Sequence, residues 1–229
     1  MTALPVLHID AHMLVIDKPA GLAVHPGPKT PHSLEERLGE LTFGFHRLPQ
    51  PAHRLDRDTS GCLVLARHPK AAKRLGQLFT DGRITKTYLA LLDGVPEQGE
   101  GRIDAPLAKV SSAEAGWRMV VDPAGKPAAT RWRRLAAHEG QALIAFFPET
   151  GRTHQIRVHA AHALASIAGD PVYGNGNGPM RLHSAGLVIP YREEAPVSAS
   201  APLPADWPLW AQKAVANEKG PPFRATPSA

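Results

Sequence analysis

The chain has 229 residues, 43% of them hydrophobic and 21% charged, with 20 Gly and 23 Pro; this suits a turn-rich soluble globular protein and excludes disordered or fibrous compositions. A lone cysteine, Cys62, excludes an internal disulfide and fits a reducing cytosol; it sits in the apolar run GCLVLA and reads as a core residue. No apolar run of about 18 residues offers a membrane span, no export signal opens the chain, and a net charge of +5 suits a polyanionic partner without demanding one.

Residues 6–9 and 13–16 read as short strands, followed by a tight turn through Asp17-Lys18-Pro19-Ala20-Gly21. Residues 33–39 (SLEERLG) place a Glu three positions after a cap-like Ser, which predicts a short helix. A buried strand is expected over 61–67. Pro69 then opens a helix in which Ala72, Leu75, Leu78 and Phe79 recur at helical spacing. Next come a strand over 85–92, a Gly-rich turn, and strands near 117–121, 129–135 and 142–147. A second helical pattern starts at Thr153, and 181–189 reads as another strand. The segment from 195 is rich in Pro, Ala and Ser, holds a helix candidate at 209–219, and ends in GPPFRATPSA, expected to be mobile. Strands separated unevenly by helices predict an α+β fold with a mixed, largely antiparallel central sheet flanked by helices and loops. The expected organisation is one domain over 1–195 and a tail over 196–229. Neither a dinucleotide-binding fingerprint nor a phosphate loop of the P-loop type occurs.

The densest polar segment is 53–61, HRLDRDTSG, between Pro51 and the apolar strand that starts at Cys62. Loops at the end of a buried strand are where catalytic side chains tend to sit. Asp56 and Asp58 stand among Arg54 and Arg57, and Thr59-Ser60-Gly61 has the chemistry to turn the chain. Taken alone, the segment reads equally as a turn with local ion pairs.

Taken with other segments, it resembles the RluA-type family of pseudouridine synthases. HRLDRDTSG matches the family's catalytic motif, H-R-L-D-x-x-T-S-G, at every specified position. Upstream, LVIDKPAGLAVHPG resembles the family's lysine-proline turn; downstream, Lys86-Thr87-Tyr88-Leu89-Ala90 resembles the segment with the active-site tyrosine. ETGRTHQIRVH over 149–159 resembles the segment with the active-site arginine, and GDPVYG and LHSAGL continue the pattern. The resemblance runs from about Leu14 to about Pro190 in the family's order, departing at Ser184, where alanine is expected. It implies a pseudouridine synthase catalytic domain, here without the separate N-terminal RNA-binding domain that many members have.

The resemblance also implies roles. Asp56 matches the catalytic carboxylate, Tyr88 the tyrosine that packs on the target base, and Arg157 the arginine that pairs with the carboxylate. Arg54 matches the arginine that takes the place of the flipped nucleotide, and His53, Thr59, Lys86, Arg152 and His154 are expected on the RNA-binding side. The implied reaction breaks the N1–C1′ bond of a uridine, rotates the uracil and rejoins it through C5, with no cofactor. A carboxylate can serve it by attacking C1′, adding to C6 or taking a C2′ proton. Burial disfavours the charged form of a carboxylate and a nearby cation favours it, and a guanidinium also fixes its orientation; hence an Arg at 157.

The expected partner is structured RNA, a ribosomal or transfer RNA stem-loop from which the target uridine is flipped. Lys70, Lys73, Arg74, Arg83 and Lys86 are candidates for the surface that tracks the phosphates. A cytoplasmic monomer is the default. His154, His159 and His162 fall in one predicted helix, but without H-E-x-x-H or a cysteine set no metal is expected. Two rival readings remain: a glycosidase-like hydrolase using Asp56 and Asp58, and an RNA-binding module in which Asp56 is structural.

Overall fold

The computed structural model describes residues 3–27, 30, 32–112 and 116–218. In chain order the elements are β1 (Val6–Ile9), β2 (Met13–Lys18), a 3-10 helix (Leu34–Leu41), β3 (Gln50–Pro51), β4 (Ser60–Ala66), α1 (Pro69–Thr80) and β5 (Thr85–Leu92). They continue with β6 (Glu100–Asp104), β7 (Leu107–Ser112), β8 (Gly116–Val121), β9 (Ala129–His138), β10 (Gln141–Pro148), α2 (Gln155–Ala163), β11 (Leu182–Ile189), β12 (Val197–Ser200) and α3 (Leu209–Asn217). The α+β expectation holds, with antiparallel pairing dominant. The chain divides into two compact units, Met1–Thr85 with His183–Pro202, and Lys86–Leu182 with Leu203–Ala229.

In the first unit the strand order is β1-β2-β4-β11, with β3 added to β4 and β12 to β11. β4 is paired antiparallel with β2 from Met13↔Ala66 to Lys18↔Gly61, and parallel with β11 at His183↔Ser60 and Ser184↔Gly61. All seven residues of β4, SGCLVLA, are buried, which explains its unbroken apolar run. α1 starts at Pro69 as expected, capped by His68, whose Nδ1 accepts the Ala71 N–H. Its Ala71, Leu75 and Leu78 pack on Met13, Val15, Cys62, Val64, Leu187 and Ile189. Cys62 is buried there and burial pushes its thiol up to about 12, so it is a core residue as read from the sequence.

The second unit is built on β5-β10-β9-β6, all antiparallel, and a separate two-stranded ribbon of β7 and β8. Ala90, Leu92, Ile103, Trp132, Ala142, Ile144 and Phe146 form its core with Ile156 and Ala160 of α2. β6 was not foreseen: its EGRID sequence carries Gly and three charges, and only its pairing with β9 makes it a strand.

Two local expectations need correction. Residues 34–41 form a 3-10 helix, and the Ser33 side chain makes no cap bond. The Ala23↔Ser33 bridge holds Ser33 extended, and the first helical N–H, that of Leu34, donates to the Ala23 carbonyl at 2.8 Å. The second helix begins at Gln155, because His154 is left-handed, with φ 53°, and breaks the pattern that started at Thr153. α3 lies where a helix was expected, while GPPFRATPSA falls outside the described residues.

His183 is fully buried on β11: its Nε2 faces the Ala201 carbonyl at 3.4 Å and its Nδ1 the Ser60 hydroxyl at 2.8 Å. A carbonyl only accepts, so Nε2 carries the proton and Nδ1 accepts from Ser60. Burial pushes this imidazole down to about 4 from 6.5. Above pH 6.5 neither folded nor unfolded chain is protonated here; between 6.5 and 4 the unfolded chain binds a proton that the folded one refuses. Stability should therefore fall by about 3 kcal/mol as pH drops through that window and then level off. His159 shifts in the same direction, so the readout is the difference between wild type and His183→Asn in urea midpoints against pH. A variant with an unchanged slope would remove the charge-exclusion account of His183.

Candidate active site

The loop between β3 and β4 lies in the first unit. Leu55 is buried and anchors it, Arg54 is exposed, and Asp56 is half-buried. The Thr59 N–H donates to the Asp56 carbonyl at 3.1 Å, closing a turn, and Thr59 itself is buried. Arg57 and Asp58 form an exposed ion pair, Nε to Oδ1 at 3.0 Å and Nη2 to Oδ2 at 3.2 Å. The local pairing expected of this loop is thus present at Asp58. His53 accepts the Val64 N–H at 3.0 Å and stacks on Phe79 with ring centroids 4.4 Å apart, so it fastens the loop to β4 and α1.

Lys18 holds the loop from beneath. It is fully buried at the end of β2, and its Nζ donates to the carbonyls of Pro19, Leu22 and Arg57 at 2.9, 2.8 and 3.0 Å. The Gly21 N–H also donates to the Arg57 carbonyl, at 2.9 Å. Three acceptors match the three N–H of an ammonium. Burial pushes Lys18 down to about 7, against Asp58, Asp56 and Asp17, which favour its charge. The lysine-proline turn is therefore part of the scaffold of the Asp56 loop. A Lys inside the apolar run LVIDKP was the sequence signal for this role.

β5 from Lys86 onward and the start of α2 lie in the second unit and carry the other candidates. Tyr88 is half-buried on β5, opposite Phe146 of β10. Lys86, two residues earlier, donates to the Thr150 carbonyl at 3.1 Å, and burial pushes it down to about 8. The loop after β10 is clamped by Gln155. Its Oε1 accepts from the Arg152 N–H at 2.9 Å and the Thr150 hydroxyl at 2.7 Å; its Nε2 donates to the Ala129 carbonyl and the Thr130 hydroxyl. Arg152 is exposed and its Nε donates to the Pro127 carbonyl. His154 pairs with the Tyr173 hydroxyl at 2.9 Å and lies against Trp117, ring centroids 5.1 Å apart.

Arg157, 6% exposed, makes a side-on pair with Asp170: Nε to Oδ2 at 2.7 Å and Nη2 to Oδ1 at 2.8 Å. Asp170 is the acid of GDPVYG, a residue that carries no role in the sequence pattern. A single acid in a turn otherwise free of charge was the available signal.

Among the described residues, no group of three or more His, Cys, Asp or Glu is placed to hold a metal ion. Of the three histidines read into the second helix, His159 is engaged on both ring nitrogens: its Nε2 donates to the Ala105 carbonyl and its Nδ1 accepts from the Thr130 hydroxyl, both at 2.9 Å.

These segments also match known proteins. A profile described as RNA pseudouridylate synthase matches residues 12–162. The chain belongs to the RNA pseudouridylate synthase family. Its RluA-type character, expected from the motifs, is shown by the same match and by relatives of that type. An RNA pseudouridine synthase of Zymomonas mobilis, itself uncharacterized, is 53% identical over 204 residues, covering 87% of this chain and 93% of the relative. Ribosomal large subunit pseudouridine synthase D of the same organism is 40% identical over 178 residues, or 75% of this chain and 56% of the relative. The chain likewise spans 54% of ribosomal large subunit pseudouridine synthase C of Buchnera aphidicola, so it accounts for about half the length of such relatives. Among solved structures, human RNA pseudouridylate synthase domain containing 4 superposes with a TM-score of 0.75 at 25% identity, covering 93% of this chain and 92% of that one.

Within this pseudouridylate synthase frame, the matched stretch takes in the Asp56 loop, Lys86 to Ala90 and the segment bearing Arg152 to Arg157. Among the described residues no helix is long and apolar enough to cross a membrane.

Proposed function

We propose that this chain isomerises selected uridines of ribosomal or transfer RNA to pseudouridine, as a cytoplasmic monomer without a cofactor, using Asp56 as its catalytic carboxylate. The observation that carries the reading is the family match over residues 12–162, which includes Asp56, Tyr88 and Arg157 together. In the reaction the N1–C1′ bond breaks, the C5–C1′ bond forms, the C5 proton leaves and N1 gains a proton. Attack at C1′, addition at C6 and abstraction at C2′ all require an ionised, oriented carboxylate, which Asp56 supplies. Tyr88 offers the uracil a flat face, and Arg157 acts as the cation that keeps the reacting carboxylate charged. Arg54, long, planar and exposed, fills the gap left when the nucleotide flips out of its stem-loop. His53, Thr59, Lys86, Arg152 and His154 support the RNA-facing loops from which these groups act.

The test is tritium release from RNA labelled at uracil C5, using ribosomal and transfer RNA transcripts. Release matched by new pseudouridine is the expected result. RNA bound tightly with no release would favour a binding module instead. The Arg157 assignment has its own test. A Lys keeps the charge but not the planar fork, so Arg157→Lys should lower kcat by roughly 10- to 100-fold while RNA Kd changes less than about threefold. Equal turnover in the two proteins would remove Arg157 from the chemistry.

A further inference from the structure

Asp170 does more than neutralise a buried arginine. It is 0% exposed, and both of its oxygens are committed in specific directions. Oδ2 accepts from Arg157 Nε at 2.7 Å; Oδ1 accepts from Arg157 Nη2 at 2.8 Å and from the backbone N–H groups of Val172 and Tyr173 at 2.9 and 3.1 Å. The turn after Gly169 therefore fixes the carboxylate before the carboxylate fixes the guanidinium. Burial alone would push Asp170 up, but the Arg157 bond and the two backbone donors outweigh it and hold the carboxyl below its ordinary value.

A second surface limits the same guanidinium. The Arg157 Cζ lies 5.1 Å from the Tyr173 ring centroid. The Tyr173 hydroxyl is pinned in turn, accepting the Met119 N–H at 2.9 Å and pairing with His154 Nδ1 at 2.9 Å. A planar guanidinium held side-on through Nε and Nη2 has one orientation left. Its opposite edge, two N–H of Nη1 and one of Nη2, is aimed by the pair and cannot swing without breaking two buried charge-assisted bonds.

We infer that Asp170 is a positioning residue for the isomerisation: through the side-on pair, the turn over 170–173 sets the direction in which Arg157 presents its outer edge to the reacting groups. This rests on the assignment of Arg157 to the active site made above. On this reading the two partners' functions differ: Arg157 acts on the reacting groups, whereas Asp170 acts only through Arg157.

The test compares Asp170→Asn, Arg157→Lys and the double variant in the full chain. Asparagine keeps an acceptor for the Val172 and Tyr173 N–H groups but puts an NH2 against Arg157 Nε–H, turning the guanidinium. Asp170→Asn should lower kcat by about 100-fold with RNA Kd within about threefold. In the Arg157→Lys background the same substitution should add less than about threefold, since the group it positions is gone. A structural role alone would instead lower folded fraction, affinity and turnover together, or give losses that multiply in the double variant; either result overturns the inference. Should Asp170→Asn fail to fold, nitrogen-15 NMR of wild type decides. The Arg157 Nε–H, identified by its loss in Arg157→Lys, should exchange with solvent far more slowly than exposed arginines, and solvent-like exchange overturns the inference. The underlying assignment fails differently: wild type would release no tritium, or Arg157→Lys would turn over like wild type.

Discussion

Asp56→Asn should abolish C5 tritium release, lowering kcat by at least about 10⁴-fold, while RNA Kd stays within about twofold. The substitution is close to isosteric. The turn that carries residue 56 is closed by its backbone carbonyl accepting from Thr59, and the scaffold under it is the Lys18 ammonium on the Pro19, Leu22 and Arg57 carbonyls. The near-isosteric side chain leaves the backbone bond and the Lys18 scaffold in place, so the variant should fold and bind RNA but lack the charge that the proposed chemistry requires. Filter binding, tritium release and thermal unfolding on one preparation separate the outcomes. Release within about tenfold of wild type would transfer the chemistry to another group. Asp58 would be the first to examine, although its ion pair with Arg57 already occupies it on the exposed side of the loop.

The contrast between Asp56 and Asp170 shows which parts of such a site a sequence reveals. Asp56 lies in a nine-residue run whose polar density between apolar segments marks it as functional before any coordinates are seen. Several secondary-structure elements were legible for equally local reasons. Pro69 and the Ala72, Leu75, Leu78 and Phe79 spacing define α1, and the strand expected over 85–92 is β5 to the residue. Asp170 has no such context; its meaning comes from a guanidinium 13 positions away, brought to it by the fold. Lys18 is the same kind of case, since one of its three acceptors lies 39 residues on. β6 and β12 failed to announce themselves because both are short edge elements, and pairing with β9 and β11 supplies what their own propensity does not. Ser33 illustrates the opposite error. A good local cap signal lost to a bridge with Ala23, a contact no window around residue 33 contains.

Gly61 combines both kinds of information, and Gly61→Ala is the second large effect expected. The sequence reads Gly61 both as the close of the Thr59-Ser60-Gly61 turn and as the first residue of the strand over 61–67, and the structure places it within β4, at the parallel register Ser184↔Gly61. There its φ is +103°, and a Cβ would stand 2.2 Å from the Ser184 carbonyl oxygen, 2.7 Å from its carbon and 2.8 Å from its nitrogen. All three are backbone atoms of a strand, so no side chain can swing aside. Backbone strain and overpacking at about 2 kcal/mol each give a loss of about 4 kcal/mol, a large share of the stability of a typical domain. Gly76→Ala in α1 is the matched control: nothing lies within 4 Å of its Cβ, and it should leave stability unchanged or raise it by up to about 1 kcal/mol. Urea midpoints of the two variants check the pair, and a Gly61→Ala loss under about 1 kcal/mol would mean that β4 and β11 do not approach as described. The same close approach ties stability to catalysis. Gly61 pairs with Lys18 on its other side and follows directly on the Asp56 loop. Whatever fraction of Gly61→Ala does fold should therefore show reduced turnover per folded molecule, because relieving the clash shifts β4 against β11 next to the loop that β4 carries.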